Sequence, residues 1–164
     1  MPPLRIDEIL TKLYDALSTW GATHKATVSI ARDPFHVLEL LAENPQGFRI
    51  IVHWAGDDNP SDQMEFPLAD NKIEVVFSYN LGLSAQPDLA LIRGQQNRPA
   101  LYKLLDELRG LILAIAFPDV ATAIYCQYTG TEPFITPDGI PLAAYRLKFH
   151  LVSAVSIQPQ SIPV

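Results

Sequence analysis

At 164 residues, with 48% hydrophobic and 18% charged side chains, the chain has the size and composition of one ordered domain with a single core, and disorder is excluded. A net charge of −6 and a pI near 5.1 argue against bulk binding to nucleic acid, whose affinity comes mainly from neutralising phosphates. The lone Cys126 can close no internal disulfide, and no run approaches the ~20 apolar residues of a membrane span.

The opening MPPLRIDEIL carries no charged leader followed by an apolar stretch, so no secretory signal is expected and the reducing cytosol is the expected place of synthesis. Ile6, Ile9, Leu10, Leu13 and Leu17 form a helical stripe, predicting a first helix over 7–19 with Gly21 as its stop. ATVSIA, 26–31, is short and β-branched and reads as a candidate strand. Asp33-Pro34 looks like an N-cap followed by a first-turn proline, opening a short helix through Leu41.

Phe48, Ile50, Val52 and Trp54 alternate with Arg49, Ile51 and His53, and Ile73, Val75, Phe77, Tyr79 and Leu81 alternate in the same way. These two segments are expected to pair as an antiparallel hairpin around a long connection, 55–71. A second irregular stretch, 82–97, carries Leu83, Leu89, Leu91 and Ile92, more apolar surface than a solvated loop needs. Fourteen prolines exceed the ~5% of average usage and fall mostly between the periodic segments.

The central element is the run 99–117, PALYKLLDELRGLILAIAF. Leu101, Leu104, Leu105, Leu108, Leu111, Ile112 and Ile115 line one side of a 3.6-residue helix, bounded by Pro99 and Pro118. Its predicted length is roughly 27 Å. Leu113, Ala114, Ala116 and Phe117 make its end apolar nearly all round, so a second layer or a neighbouring subunit is expected there. A third main strand follows at 124–128, then a Pro137-Asp138-Gly139 turn. A long last strand, 144–157, is expected to overhang the sheet with free backbone groups, and 158–164 reads as a loose tail. The sum is a single α+β domain over 1–157: a mainly antiparallel four-stranded sheet with helices on one face, or, as an alternative, a ferredoxin-like split β-α-β arrangement.

Chemistry is sparse in this pattern. His24, His36, His53 and His150 pair with no other ligand at a recognised metal spacing, and His53 and His150 read as exposed. Asp57, Asp58, Asp62 and Glu65 share one loop but lack a calcium-loop register. Cys126 falls on a core face, and no nucleophile elbow or phosphate-cradling glycine loop is present. No catalytic residue, metal or cofactor is therefore expected. Arg49, Lys72, Arg146, Lys148 and His150 are expected to share the sheet face away from the helices: a solvated outer face with cross-strand pairs, or a basic patch for an anion or nucleic acid. A metal-dependent enzyme using the acidic loop is the remaining alternative.

The order of DEILTKLYDAL, a hairpin with an extended loop, RPALYKLLDELRGLI, YCQYTG, a proline-rich turn and AAYRLKFHLVSAV resembles the tail terminator, or minor tail, proteins of long-tailed bacteriophages and prophages. The resemblance spans roughly 7–155 and lies in the order of elements. It implies a small structural subunit that forms a ring, often a hexamer, caps the tail tube and joins it to head-completion proteins, in the bacterial cytoplasm during assembly and in the virion afterwards. It implies no active site, membrane or nucleic-acid partner. The short helix near 35–41 is an addition to that pattern, which leaves a neck, tail-completion or baseplate role open. Met64, Phe66, Leu83, Leu89, Leu91, Ile92 and Phe117 are the expected subunit-contact residues, with the last strand pairing across the interface.

Overall fold

The first helix, α1 (Ile6–His24), buries Ile9, Leu13 and Leu17 at a spacing of four, as its stripe dictates. It runs through Gly21 and ends where Lys25 takes a left-handed φ of 56°. Gly21 is not a stop but a point of close approach: a β-carbon there would lie 3.3 Å from Val28 Cγ2 on the next strand. That strand is β1 (Ala26–Ala31), followed by α2 (Pro34–Ala42), whose Asp33 cap accepts the His36 N–H at 2.8 Å.

The structure is a computed structural model that describes residues 6–43, 48–58, 68–82, 86–95, 98–115, 123–136 and 141–154. Its remaining elements are β2 (Phe48–Asp58), β3 (Leu68–Asn80), α3 (Pro87–Arg93), α4 (Leu101–Ala114), β4 (Ala123–Pro133) and β5 (Leu142–Ala154). The strands form one five-stranded sheet in the order β1-β2-β3-β5-β4, antiparallel throughout except for the β1/β2 pair. The β1 segment is thus a fifth strand beyond the four expected. Because β1 and β2 are direct neighbours joined through α2, the sheet is not the split β-α-β alternative, in which another strand separates such a pair.

The expected hairpin is present, with Phe48 opposite Tyr79 and Val52 opposite Val75. Its arms reach further than the alternation suggested, to Asp58 and back from Leu68, across a register shift between Trp54 and Asp57 where Gly56 adopts a φ of 97°. This shift breaks the period of two. The last strand also differs from expectation. β5 is paired with β3 along its whole length and with β4 on its other side, so over 142–154 its backbone is not free to pair across an interface, and the expected overhang at 155–157 lies outside the described residues. The edges are β1 and β4.

Alternation along the strands divides the core in two. Phe48, Ile50, Val75, Phe77, Leu147 and Phe149 point to one face, where α1, α3 and α4 cover them. Ile51, Val76 and Ala144 point to the other, where α2 covers them through Val37, Leu40 and Leu41. The expectation of helices on one face is therefore corrected: a β-α-β crossover must lay its helix on the sheet, and the face already filled by α1 and α4 was not open. The central helix α4 is shorter than predicted, about 21 Å, because Ala100 is its cap and Ile115 is already extended. Leu101, Leu104, Leu108 and Ile112 are buried, whereas Leu113 and Ala114 are exposed, so within the described residues the helix end is not covered all round.

Candidate functional site

The face of the sheet beyond α2 carries the five residues expected to be basic and exposed. Each has a carboxylate partner. Arg49 is buried under α2 and bonds Glu43 at 2.9 Å; Lys72 pairs with Asp58; His150 Nδ1 lies 3.0 Å from Asp70. Arg146 reaches both Glu74, at 3.5 Å, and Glu132, while Lys148 bonds Glu132 at 3.2 Å. The pairing follows from register: Val76 faces Arg146, Glu74 faces Lys148 and Glu132 faces Arg146 across neighbouring strands, which brings these side chains to one surface. Positions 49, 72, 146, 148 and 150 thus form a balanced charge lattice.

Glu132 is its most constrained acid. Hydrogen bonds from Arg146 and Lys148 hold its carboxyl below the ordinary value near 4.5. Because the folded-state value is depressed, the stabilisation is present above the unfolded value and is lost as pH falls through the folded one. Between about pH 5 and pH 3 the wild type will therefore lose more stability than Glu132→Gln. Urea titrations at each pH would test this, and parallel acid profiles would exclude the lattice as a source of acid sensitivity.

At the edge of this lattice, where α2 begins, lies a cleft of about 300 Å³. Arg32, Asp33 and Val37 form one side, His53 and Glu74 another, and Phe134 and Arg146 complete it. The Arg146 guanidinium sits 5.6 Å over the Phe134 ring. His53, expected to be exposed, is 6% exposed, with Nδ1 3.6 Å from a Glu74 oxygen. Sequence alternation correctly placed it opposite Trp54, but the covering of that face by α2 could not be read from the strand alone. Among the described residues no cluster of three metal-ligating side chains occurs. Asp57 and Asp58 end β2, and Asp62 and Glu65 lie outside the described residues.

On the opposite face, α4, β4 and β5 bring three tyrosines around a second cleft of about 250 Å³. The Tyr102 and Tyr145 hydroxyls are 3.2 Å apart with their rings edge to face, and Arg109 lies 5.3 Å over the Tyr128 ring. The hydrogen bond with Tyr102, followed by burial, pushes Tyr145 up to about 12. Cys126 packs against the main core, and burial pushes its thiol up, away from the thiolate that nucleophilic chemistry needs.

Of the residues expected at a subunit contact, Leu83, Met64, Phe66 and Phe117 lie outside the described residues. Leu89, Leu91 and Ile92 belong to α3, in the stretch expected to be irregular. A proline at the first helical position starts this helix, and Gly94 ends it at a φ of 80°, where a β-carbon would meet the Arg98 carbonyl at 2.4 Å. Ala90 is buried and Leu91 packs on the main core, so this excursion partly covers its own domain; Ile92, 59% exposed, faces outward. More exposed still are Phe35 on α2 and Ile135 just beyond β4, at 79% and 86%. No described helix is long and apolar enough to cross a membrane. Comparison of the sequence with protein-family models and with curated proteins gave no match.

Proposed function

We propose that this chain is a structural assembly subunit of the phage-tail kind, a ring-forming tail terminator or tail-completion protein that acts by contacts between its copies and with a tail tube and head-completion proteins. The resemblance in element order is one support. The observation that carries the reading is that, among the described residues, the sheet has two different open edges, each with exposed apolar side chains beside it. Ile30, Phe35 and Leu38 flank β1, and Ile135 follows β4. A contact joining one edge to the other is heterologous, and a heterologous contact that closes on itself makes a ring. Edge strands with unpaired backbone groups are the usual place for such additions.

Light scattering coupled to size exclusion is the test. The wild type is expected at a mass several times that of one chain, and Phe35→Asp and Ile135→Asp are each expected to shift it toward the single chain. Both positions are so exposed that melting temperatures should stay within a few degrees. A wild-type mass of one chain at every concentration, with and without purified tail tubes, would overturn the proposal.

A further inference from the structure

The cleft beside α2 has a chemistry that assembly alone does not use. Its apolar lining is Val37, Val76 and Phe134. Its acids are committed. Asp33 caps α2 by accepting the His36 N–H at 2.8 Å, and Glu74 is shared by Arg146 and His53. The donors are less fully used. Arg32 has a side chain 75% exposed and reaches only Glu39, at 3.9 Å. Arg146 Nε is buried with no acceptor. His53, more than nine-tenths buried, forms no hydrogen bond through either ring nitrogen among the described residues; its one polar neighbour is Glu74. A cleft whose acids are satisfied and whose donors are in surplus favours an anion, and its apolar walls favour one that carries a hydrophobic body.

We propose that this cleft binds an apolar carboxylate: a single carboxylate held by Arg32 and His53, with a branched or aromatic body against Val37 and Phe134. Its volume lies at the lower end of the range for small-molecule sites, which suits one acid of side-chain size. The same chemistry is presented by a free organic acid and by a chain terminus with an apolar last residue. The site does not depend on the assembly reading, since every residue it uses comes from one chain.

The test is calorimetric titration of the full chain with phenylacetate and with a short peptide ending in valine, each beside its uncharged amide. Saturable binding is expected for at least one carboxylate, with its amide at least tenfold weaker and with Arg32→Ala weakening it at least fivefold. Arg32 is exposed, so this variant tests the cleft without disturbing the core; His53→Gln is expected to weaken binding similarly where it folds. Binding of phenylacetate alone assigns the site to a small acid, and binding of the peptide alone assigns it to a chain terminus. Failure of both carboxylates to saturate, equal binding of acid and amide, or an Arg32→Ala variant that binds like the wild type would each overturn the proposal.

Discussion

Leu104→Ala is expected to lower the free energy of unfolding by about 2–5 kcal/mol, whereas Leu113→Ala, nine residues further along the same helix, should change it by less than about 0.5 kcal/mol. Leu104 is completely buried between α4 and the sheet, so its truncation removes both transfer free energy and packing contacts. Leu113 is 45% exposed at the helix end. For a domain of this length the first substitution corresponds to a fall in melting temperature of roughly 4–20 °C. Chemical denaturation of both variants is the measurement. A large loss at Leu113 in a single chain would mean that the end of α4 is covered after all, and a loss at Leu113 confined to an assembled form would locate a subunit contact there.

The contrast also shows where sequence reasoning reached its limit. The stripe on α4 was legible because its spacing is a property of one helix: of its seven residues Leu101, Leu104, Leu108 and Ile112 are buried, and Leu105, Leu111 and Ile115 are partly buried against the same core. The helix ends were not. Pro99 and Pro118 bound a longer apolar run, and nothing local distinguishes a helix stopping at Ala114 from one continuing to Phe117. The strand cores were legible for the same reason as the stripe: period two separates Ile50 from Ile51. Which layer each faces is a tertiary fact. Ile51 and Val76 looked outward because only one helical layer was foreseen, and α2, although its cap was read correctly, was not assigned to the second face.

The site was harder still. The cleft draws Arg32, His53, Glu74, Phe134 and Arg146 from segments up to 114 positions apart in sequence, and no motif connects them. One signal was available: a histidine and a glutamate on the same side of adjacent hairpin strands, which places His53 directly across from Glu74. Pairing them in the predicted hairpin would have marked the spot, without its depth. The five basic residues were expected to share one face with cross-strand pairs, and each has a carboxylate partner. Their shared face was foreseen, but their acidic partners come mostly from elements whose extent was underestimated, such as Asp58 at the end of β2 and Glu132 near the end of β4.

Arg49 is the strongest case of a residue whose expected role as a surface cation is corrected by its surroundings. Its Nη1 donates to the Leu40 carbonyl at 2.6 Å and to Glu43 at 2.9 Å. Leu40 lies in the last turn of α2, where carbonyls have no partner within the helix and a positive charge is favoured. The guanidinium therefore fastens the end of α2 to β2, and it is 7% exposed, out of reach of a bulk anion. Arg49→Met keeps much of the apolar stem but leaves the Leu40 carbonyl without its donor, so it is expected to cost about 1–3 kcal/mol. Arg49→Lys keeps a charge but not the two-acceptor geometry, and should recover only part of that loss. Glu43→Gln should cost less than about 1 kcal/mol, because the Glu43 side chain is 59% exposed and its pair is screened. The discriminating comparison is denaturation at low and high salt. A loss in Arg49→Met that persists in 1 M salt marks a buried hydrogen-bonded anchor, as about 3 Å of Debye screening leaves such a bond intact. A loss that vanishes with salt would return Arg49 to the outer charge lattice and reopen that part of the sheet to an anionic partner.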